Sequence, residues 1–255
     1  MPEGDTIHNA ANRLRPLLEG RVPDAIESPQ RRHAPDRWPE RLAGRRIEAI
    51  DAHGKHLFLR FEGELVLHSH LGMTGSWLTR AAGARPHGRA WLVLRAGERE
   101  ALQLGGPTLE LLTAARARTD PRLARLGPDI LGERFDERAA VHRLRDGEPE
   151  RAIGDALLDQ QALAGIGNIW KSESCFAARV DPWRAAGETS GSELVEILRF
   201  AREQMARSAR EGFAARPRAV YRRAGEPCPR CGGRVRSRGQ GDANRTTYWC
   251  PGCQR

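Results

Sequence analysis

The sequence predicts an α+β, multidomain protein, and three observations carry that prediction. The first is a helical period: Ile7, Ala10, Ala11, Leu14, Leu17 and Leu18 recur at three- and four-residue steps within residues 5–19, with Asp5 or Thr6 as N-cap and Gly20 as the stop. The second is a change of period. Short alternating or β-branched runs at 46–50, 56–61, 65–70, 91–95 and 101–104 are separated by Gly, Asp and Glu turns, the spacing of a sandwich or barrel. From about residue 120 the pattern turns helical, at 138–144, 152–158, 168–177 and 191–209, with Gly or Pro between the segments. The third is the close of the chain on Cys228, Cys231, Cys250 and Cys253.

Those four cysteines read C-x2-C-x18-C-x2-C, a spacing expected of a four-thiolate zinc site, with a pair of disulfides as the alternative. Four thiolates leave no open coordination position, so one Zn2+ per chain would fold the terminus and take no part in chemistry. Between the pairs lie Arg234, Arg236, Arg238 and Arg245 with the turn residues Gly239, Gly241, Asp242 and Asn244. This stretch predicts two short strands joined by a basic tip. Cys175, the fifth cysteine, sits in an apolar helical run and reads as packing.

Charge points to a polyanionic partner. Lys+Arg number 42 against 33 Asp+Glu, for a net +9, and residues 216–255 hold ten Arg against Glu226 and Asp242. Such clustering steers polyanions and makes binding salt-dependent. An RNA reader would need aromatic stacking platforms, and only 5% of the residues are aromatic. No apolar run approaches the roughly 18 residues of a membrane span, and no signal-type segment follows Met1, so a cytoplasmic location is expected and no membrane partner. Of the basic residues only Lys55 and Lys171 are lysines. A lysine kept against that Arg background suggests a site needing a compact, titratable ammonium; Lys55 is the stronger candidate, and Lys171 reads as facing solvent or a phosphate backbone.

Two local patterns carry chemistry. If Met1 is removed, Pro2 offers a secondary amine that titrates near pH 7.7–8.0 and can attack an aldehydic carbon without a dedicated base. The resulting iminium acidifies the neighbouring carbon, and Glu3 beside it is a candidate general acid. An ordinary helix lead-in is the plain alternative. Further on, Gly165-Ile166-Gly167-Asn168 brackets a turn between helices, where missing side chains let backbone N–H groups approach a phosphate and Asn168 adds a donor. A generic helix connector would look similar.

Taken together, the blocks Pro2-Glu3-Gly4, His53-Gly54-Lys55-His56-Leu57, His70-Leu71-Gly72-Met73-Thr74-Gly75, Leu126-Gly127-Pro128-Asp129, Gly165 to Ile169 and Val220 to Cys228 resemble, in order, those of the formamidopyrimidine-DNA glycosylase and endonuclease VIII family. The resemblance runs the whole length. It implies an N-terminal helix and two-sheet β-sandwich over 1–118, a helix–two-turns–helix domain over 119–214 and a zinc-finger hairpin over 215–255. It implies a monomeric base-excision repair enzyme on double-stranded DNA with a damaged base or abasic site, nucleoid-associated when bound. The roles it implies are Pro2 as Schiff-base nucleophile, Glu3 as the acid that opens the deoxyribose ring and Lys55 as a pocket ammonium. Asn168 and Arg245 are implied as clamps on phosphates, with His70 and Lys55 also holding the backbone, and Met73 as a wedge in the space of the extruded base.

The chain departs from the family where lesion choice is made. The usual start is Pro-Glu-x-Pro-Glu, and here Asp5 and Thr6 fill the last two places, so the second carboxylate is missing. Leu104-Gly105-Gly106-Pro107-Thr108-Leu109 stands where the formamidopyrimidine branch carries an Arg and Phe, and the connection 212–219 is too short for that branch's lid over 8-oxoguanine. These differences favour the endonuclease VIII side and oxidised pyrimidines. A DNA-binding protein of the same fold without catalysis is the competing reading.

Overall fold

Helix α1 (Gly4–Leu18) buries Ile7, Ala10, Ala11, Leu14, Leu17 and Leu18, the stripe its period predicts. The computed structural model describes residues 2–84 and 88–255, and the chain divides into two units. Pro2 and Thr6–Arg125 form the first; Glu3–Asp5 and Leu126–Arg255 form the second. The first three residues of the N-terminal block thus divide between the units at the Pro2–Glu3 peptide bond.

In the first unit β1 (Ala25–Glu27), α2 (Trp38–Leu42), β2 (Ile47–His53), β3 (His56–Phe61), β4 (Leu65–His70), β5 (Ser76–Ala81), β6 (Ala90–Ala96), β7 (Arg99–Leu104) and β8 (Thr108–Thr113) precede α3 (Ala114–Thr119) and α4 (Pro121–Ala124). The strands form two four-stranded antiparallel sheets, ordered β1-β6-β7-β5 and β2-β3-β4-β8. Strand β3 buries Leu57, Leu59 and Phe61 while Phe58 and Arg60 turn away, the period-two alternation of a sheet with one core face. Ile50, Leu57, Leu59 and Leu67 of one sheet share a core with Trp77, Leu92, Leu94 and Ala101 of the other, and α1 adds its stripe to it. The unit is a β-sandwich.

In the second unit α5 (Glu137–Asp146), α6 (Ile153–Ala156), α7 (Asn168–Ala177) and α8 (Gly191–Glu211) surround a core of Ile153, Leu163, Ile166, Trp170, Ile197 and Met205, among others. A capping box of Ser190 and Glu193 starts α8. The hairpin β9 (Arg236–Gln240) and β10 (Arg245–Trp249) turns at Gly241, with φ +65°. Phe176, Val220, Cys228, Val235 and Cys250 join the hairpin to the end of α7 in a small core of their own. Among the described residues no helix is long and apolar enough to cross a membrane. Cys175 is fully buried, and burial pushes its thiol up to about 12, so it packs and does not react at neutral pH.

Candidate functional site

Helix α7 begins at an N-cap that cannot cap. Gly167 has no side chain to offer, so the first N–H groups of the helix need an outside acceptor. Glu3, itself 1% exposed, supplies it: its carboxylate accepts from the N–H of Gly167 at 3.1 Å, of Ile169 at 2.8 Å and of Trp170 at 3.3 Å. Aligned peptide dipoles make this end of the helix electropositive, which favours the anion. The turn expected to receive a phosphate is therefore filled by the protein's own carboxylate, and that expectation is corrected for these three N–H groups.

Gly4 and Gly167 are both required by the closeness of the approach. A Cβ on Gly167 would lie 2.3 Å from Glu3 Cδ, and one on Gly4 would lie 2.9 Å from Gly165 Cα. Gly4 also donates its N–H to Gly165 O at 2.9 Å. The Pro-Glu-Gly start and the Gly-Ile-Gly-Asn turn are two halves of one structure. Asp5 does not cap α1, because the helix already starts at Gly4. Its buried carboxylate instead accepts from Ser208 Oγ at 2.6 Å and from Nε and Nη2 of Arg216, both at 2.8 Å.

Asn168, also largely buried, donates Nδ2 to the carbonyl of Thr246 at 2.7 Å and so ties α7 to β10 beside the exposed Arg245. Its Oδ1 is buried with no hydrogen-bond partner. One turn further, Lys171 is 0% exposed, against the expectation that it faces solvent or phosphate. Its Nζ donates to Thr247 Oγ1 at 2.5 Å and Gln240 Oε1 at 3.5 Å, and burial lowers its pKa to about 8. Helical phase explains the error: Lys171 lies one residue after Trp170, and the packing of the hairpin on α7 extends the buried face past the width a surface helix would have.

In the first unit Lys55 sits at the tip of the β2–β3 hairpin, where Gly54 adopts φ +56° and His53 pairs with His56. His56 in turn pairs across strands with His70, so the fold brings Lys55 and His70 to one end of the sheet. The Gly72 N–H donates to His70 Nδ1 at 3.3 Å, which leaves the proton of the neutral ring on Nε2. Met73 follows in the turn after β4 and is 63% exposed. Its turn lies against Gly105-Gly106-Pro107: a Cβ on Gly72 would meet Pro107 Cδ at 2.6 Å. Pro2 is half-buried.

Behind His70 runs a chain of rings that sequence reasoning did not find. His68 Nδ1 lies 2.9 Å from Glu110 Oε1, and His68 Nε2 lies 2.8 Å from His56 Nδ1. A carboxylate only accepts, so His68 donates to Glu110 and accepts from His56. Burial, then the neighbouring His70 and His68, lowers the His56 pKa to about 3, and burial also lowers those of His68 and His70. The three rings are neutral at pH 7. The available signal was the alternate spacing of His68 and His70 on one strand, with His56 on the adjacent strand opposite His70.

The four cysteine sulfurs lie within 4.8 Å of one another, with Cys228 to Cys253 at 3.8 Å and Cys231 to Cys250 at 3.5 Å. None is in a disulfide. Tetrahedral zinc with bonds of about 2.3 Å needs sulfurs about 3.8 Å apart, so the donor set fits a closed structural zinc. Chelation, or Cys250→Ser, is expected to release one zinc per chain and abolish amide protection in β9 and β10; retention of hairpin protection in metal-free protein would show that zinc does not fold it.

Three family models match in chain order: the formamidopyrimidine-DNA glycosylase N-terminal domain over residues 1–105, its H2TH domain over 126–215, and the zinc finger found in FPG and IleRS over 225–255. The chain belongs to the formamidopyrimidine-DNA glycosylase family, which includes endonuclease VIII. It is 40% identical to "Probable endonuclease 8 2" of Streptomyces coelicolor, an alignment covering 100% of this chain and 94% of that protein. It is 34% identical to "DNA-(apurinic or apyrimidinic site) lyase Nei2" of Mycolicibacterium smegmatis, over 100% of this chain and 99% of the relative. Among solved structures, the MutM (Fpg) protein of Thermus thermophilus aligns with a TM-score of 0.80 at 31% identity, covering 99% of this chain and 98% of the other.

Proposed function

We propose that the protein is a bifunctional DNA glycosylase and abasic-site lyase of base excision repair, acting through a Schiff base on Pro2, with oxidised pyrimidines as preferred lesions. The observation that carries the reading is the Glu3 carboxylate seated on the first N–H groups of α7, one peptide bond from Pro2. A relative named as an abasic-site lyase over the full chain length supports the same activity.

A base within the duplex is out of reach, so the damaged nucleotide must be extruded at a cost of a few kcal/mol, least for a poorly paired base. Met73 fills the vacated stack, while Arg245, Asn168, His70 and Lys55 hold the flanking phosphates. The Pro2 nitrogen attacks C1′, the glycosidic bond breaks and the base leaves with its electron pair. Glu3, which accepts from three backbone N–H groups, takes the proton from the alkylated nitrogen and passes it to the deoxyribose ring oxygen. Ring opening gives the iminium. Loss of a C2′ proton then expels the 3′-phosphate, and a second elimination expels the 5′-phosphate. Zinc holds the hairpin that carries Arg245 and has no part in these steps. The preference for pyrimidines rests on the short connection 212–219, which leaves no long lid over the base.

Borohydride should trap the wild-type protein covalently on abasic-site duplex, with the adduct on Pro2 of a chain whose mass lacks Met1. Protein that keeps Met1 should not trap, and Pro2→Gly, which retains a primary amine, should keep only weak activity. Wild-type nicking by Met1-retaining protein would overturn the assignment, and a DNA-bound, Met1-free protein that never traps would mark a damage-binding protein without catalysis.

A further inference from the structure

Asp5 and Arg216 are 211 residues apart and meet as a buried ion pair within the second unit. The Arg216 fork reaches both oxygens of Asp5, Ser208 at the end of α8 adds a third hydrogen bond, and side-chain exposure is 0% for Asp5 and 11% for Arg216. The Phe213 ring lies 4.8 Å from the guanidinium. The segment that carries Arg216 is fixed at its far end as well. Glu173 of α7, buried, accepts the N–H groups of Ala219 at 2.9 Å, Val220 at 3.0 Å and Tyr221 at 2.7 Å. Residues 208–221 therefore form a strap pinned at both ends, and the inward-facing group at its middle grips the chain two residues after Glu3.

Chain termini fray unless they are tied down. The tie at Asp5 is directional, because a bidentate guanidinium fixes the orientation of a carboxylate where an ammonium would only attract it. We propose that Asp5 and Arg216 are positioning residues for catalysis: their pair holds the Glu3 carboxylate on the N–H groups of α7 and fixes the point from which the Pro2 amine projects. This rests on the reading of Pro2 as the nucleophile. It also assigns the carboxylate at position 5, which stands where the family has proline, to a clasp and not to proton transfer.

Removing one partner strands the other charge in the interior, so the informative protein is the double variant Asp5→Asn/Arg216→Met, with Arg216→Lys beside it. Three measurements are made on full-length, zinc-replete protein: the single-turnover rate of borohydride trapping on abasic duplex, the Kd for an uncleavable abasic analogue, and amide exchange at Ile169 and Trp170. The double variant is expected to trap roughly 10–100-fold more slowly while its Kd changes by less than about threefold, as a misplaced reacting group requires. Exchange at Ile169 and Trp170 should quicken as the Glu3 cap loosens, and Arg216→Lys should recover part of both. Wild-type trapping and wild-type exchange in the folded double variant would overturn the proposal, as would equal loss of rate and affinity. If the unmutated protein never traps, the lyase reading fails, and exchange at the two amides still decides whether the clasp holds Glu3.

Discussion

Glu3→Gln is expected to slow excision of an oxidised pyrimidine by roughly 10²–10⁴-fold, the range typical of lost acid–base catalysis, and to slow nicking of a preformed abasic site less. The two substrates differ because excision requires both departure of the base and ring opening, whereas the abasic sugar already exists partly as the aldehyde. The structural loss is smaller than the kinetic one. A glutamine oxygen can still accept from the α7 N–H groups, but the charge at the helix end is gone and the amide NH2 faces donors in place of an acceptor. A carboxylate at a helix N-terminus contributes about 0.3–1 kcal/mol, up to about 2 when partly buried. The expected rate loss corresponds to about 3–5 kcal/mol in the barrier. Thermal unfolding alongside single-turnover kinetics separates the two, and equal losses on both substrates would remove Glu3 from proton transfer.

The second large effect is at Lys171. Lys171→Arg keeps the charge but adds a larger planar head to a site with no exposure, and is expected to destabilise the protein by about 1–3 kcal/mol through overpacking. Its pH dependence has a defined sign. With its pKa near 10.5 unfolded and lowered to about 8 folded, the unfolded chain binds more protons between those values, so stability rises as pH climbs from about 8 towards 10.5. Below about pH 8 the buried charge opposes folding in full, by about 3 kcal/mol at 1.36 kcal/mol per unit. Lys171→Met should remove that slope, and Thr247 would keep its own bond to Gln240 at 2.7 Å. Denaturant unfolding at pH 7 and pH 9.5 measures it. An unchanged difference between the two pH values in Lys171→Met would assign the slope to another group.

Sequence periodicity located the elements whose neighbours it also implied. Strands β3 and β4 and helix α7 have the expected bounds, α1 and α8 are within two residues of theirs, and the two strands expected between the cysteine pairs are β9 and β10, since each carries a clear apolar period or a turn signal. Strand β5 lies directly after the Gly72-Met73-Thr74-Gly75 turn and β8 after Gly105-Gly106-Pro107, and neither alternates strictly, so their pairing with β7 and β4 supplies what local pattern does not. The site divides in the same way. Residue type identified Pro2, Glu3 and the four cysteines as chemically distinct. What Glu3 touches, why Asp5 is an acid and why Lys171 is buried depend on partners more than 60 residues away, and no local spacing encodes those.

The Glu3 cap also sets an order of assembly during synthesis. Glu3 is made 164 residues before the first N–H it serves, at Gly167, and Asp5 precedes Arg216 by 211. At bacterial elongation rates of about 5–20 residues per second, the cap has no helix to seat on for roughly 10–30 s after Glu3 has left the ribosome's catalytic centre. Until then the Glu3 carboxylate is present but unseated. On the proposed mechanism a nascent or prematurely ended chain therefore carries Pro2 and Glu3 without the helix end that orders them, and strand opening waits until Gly167 to Trp170 have been made.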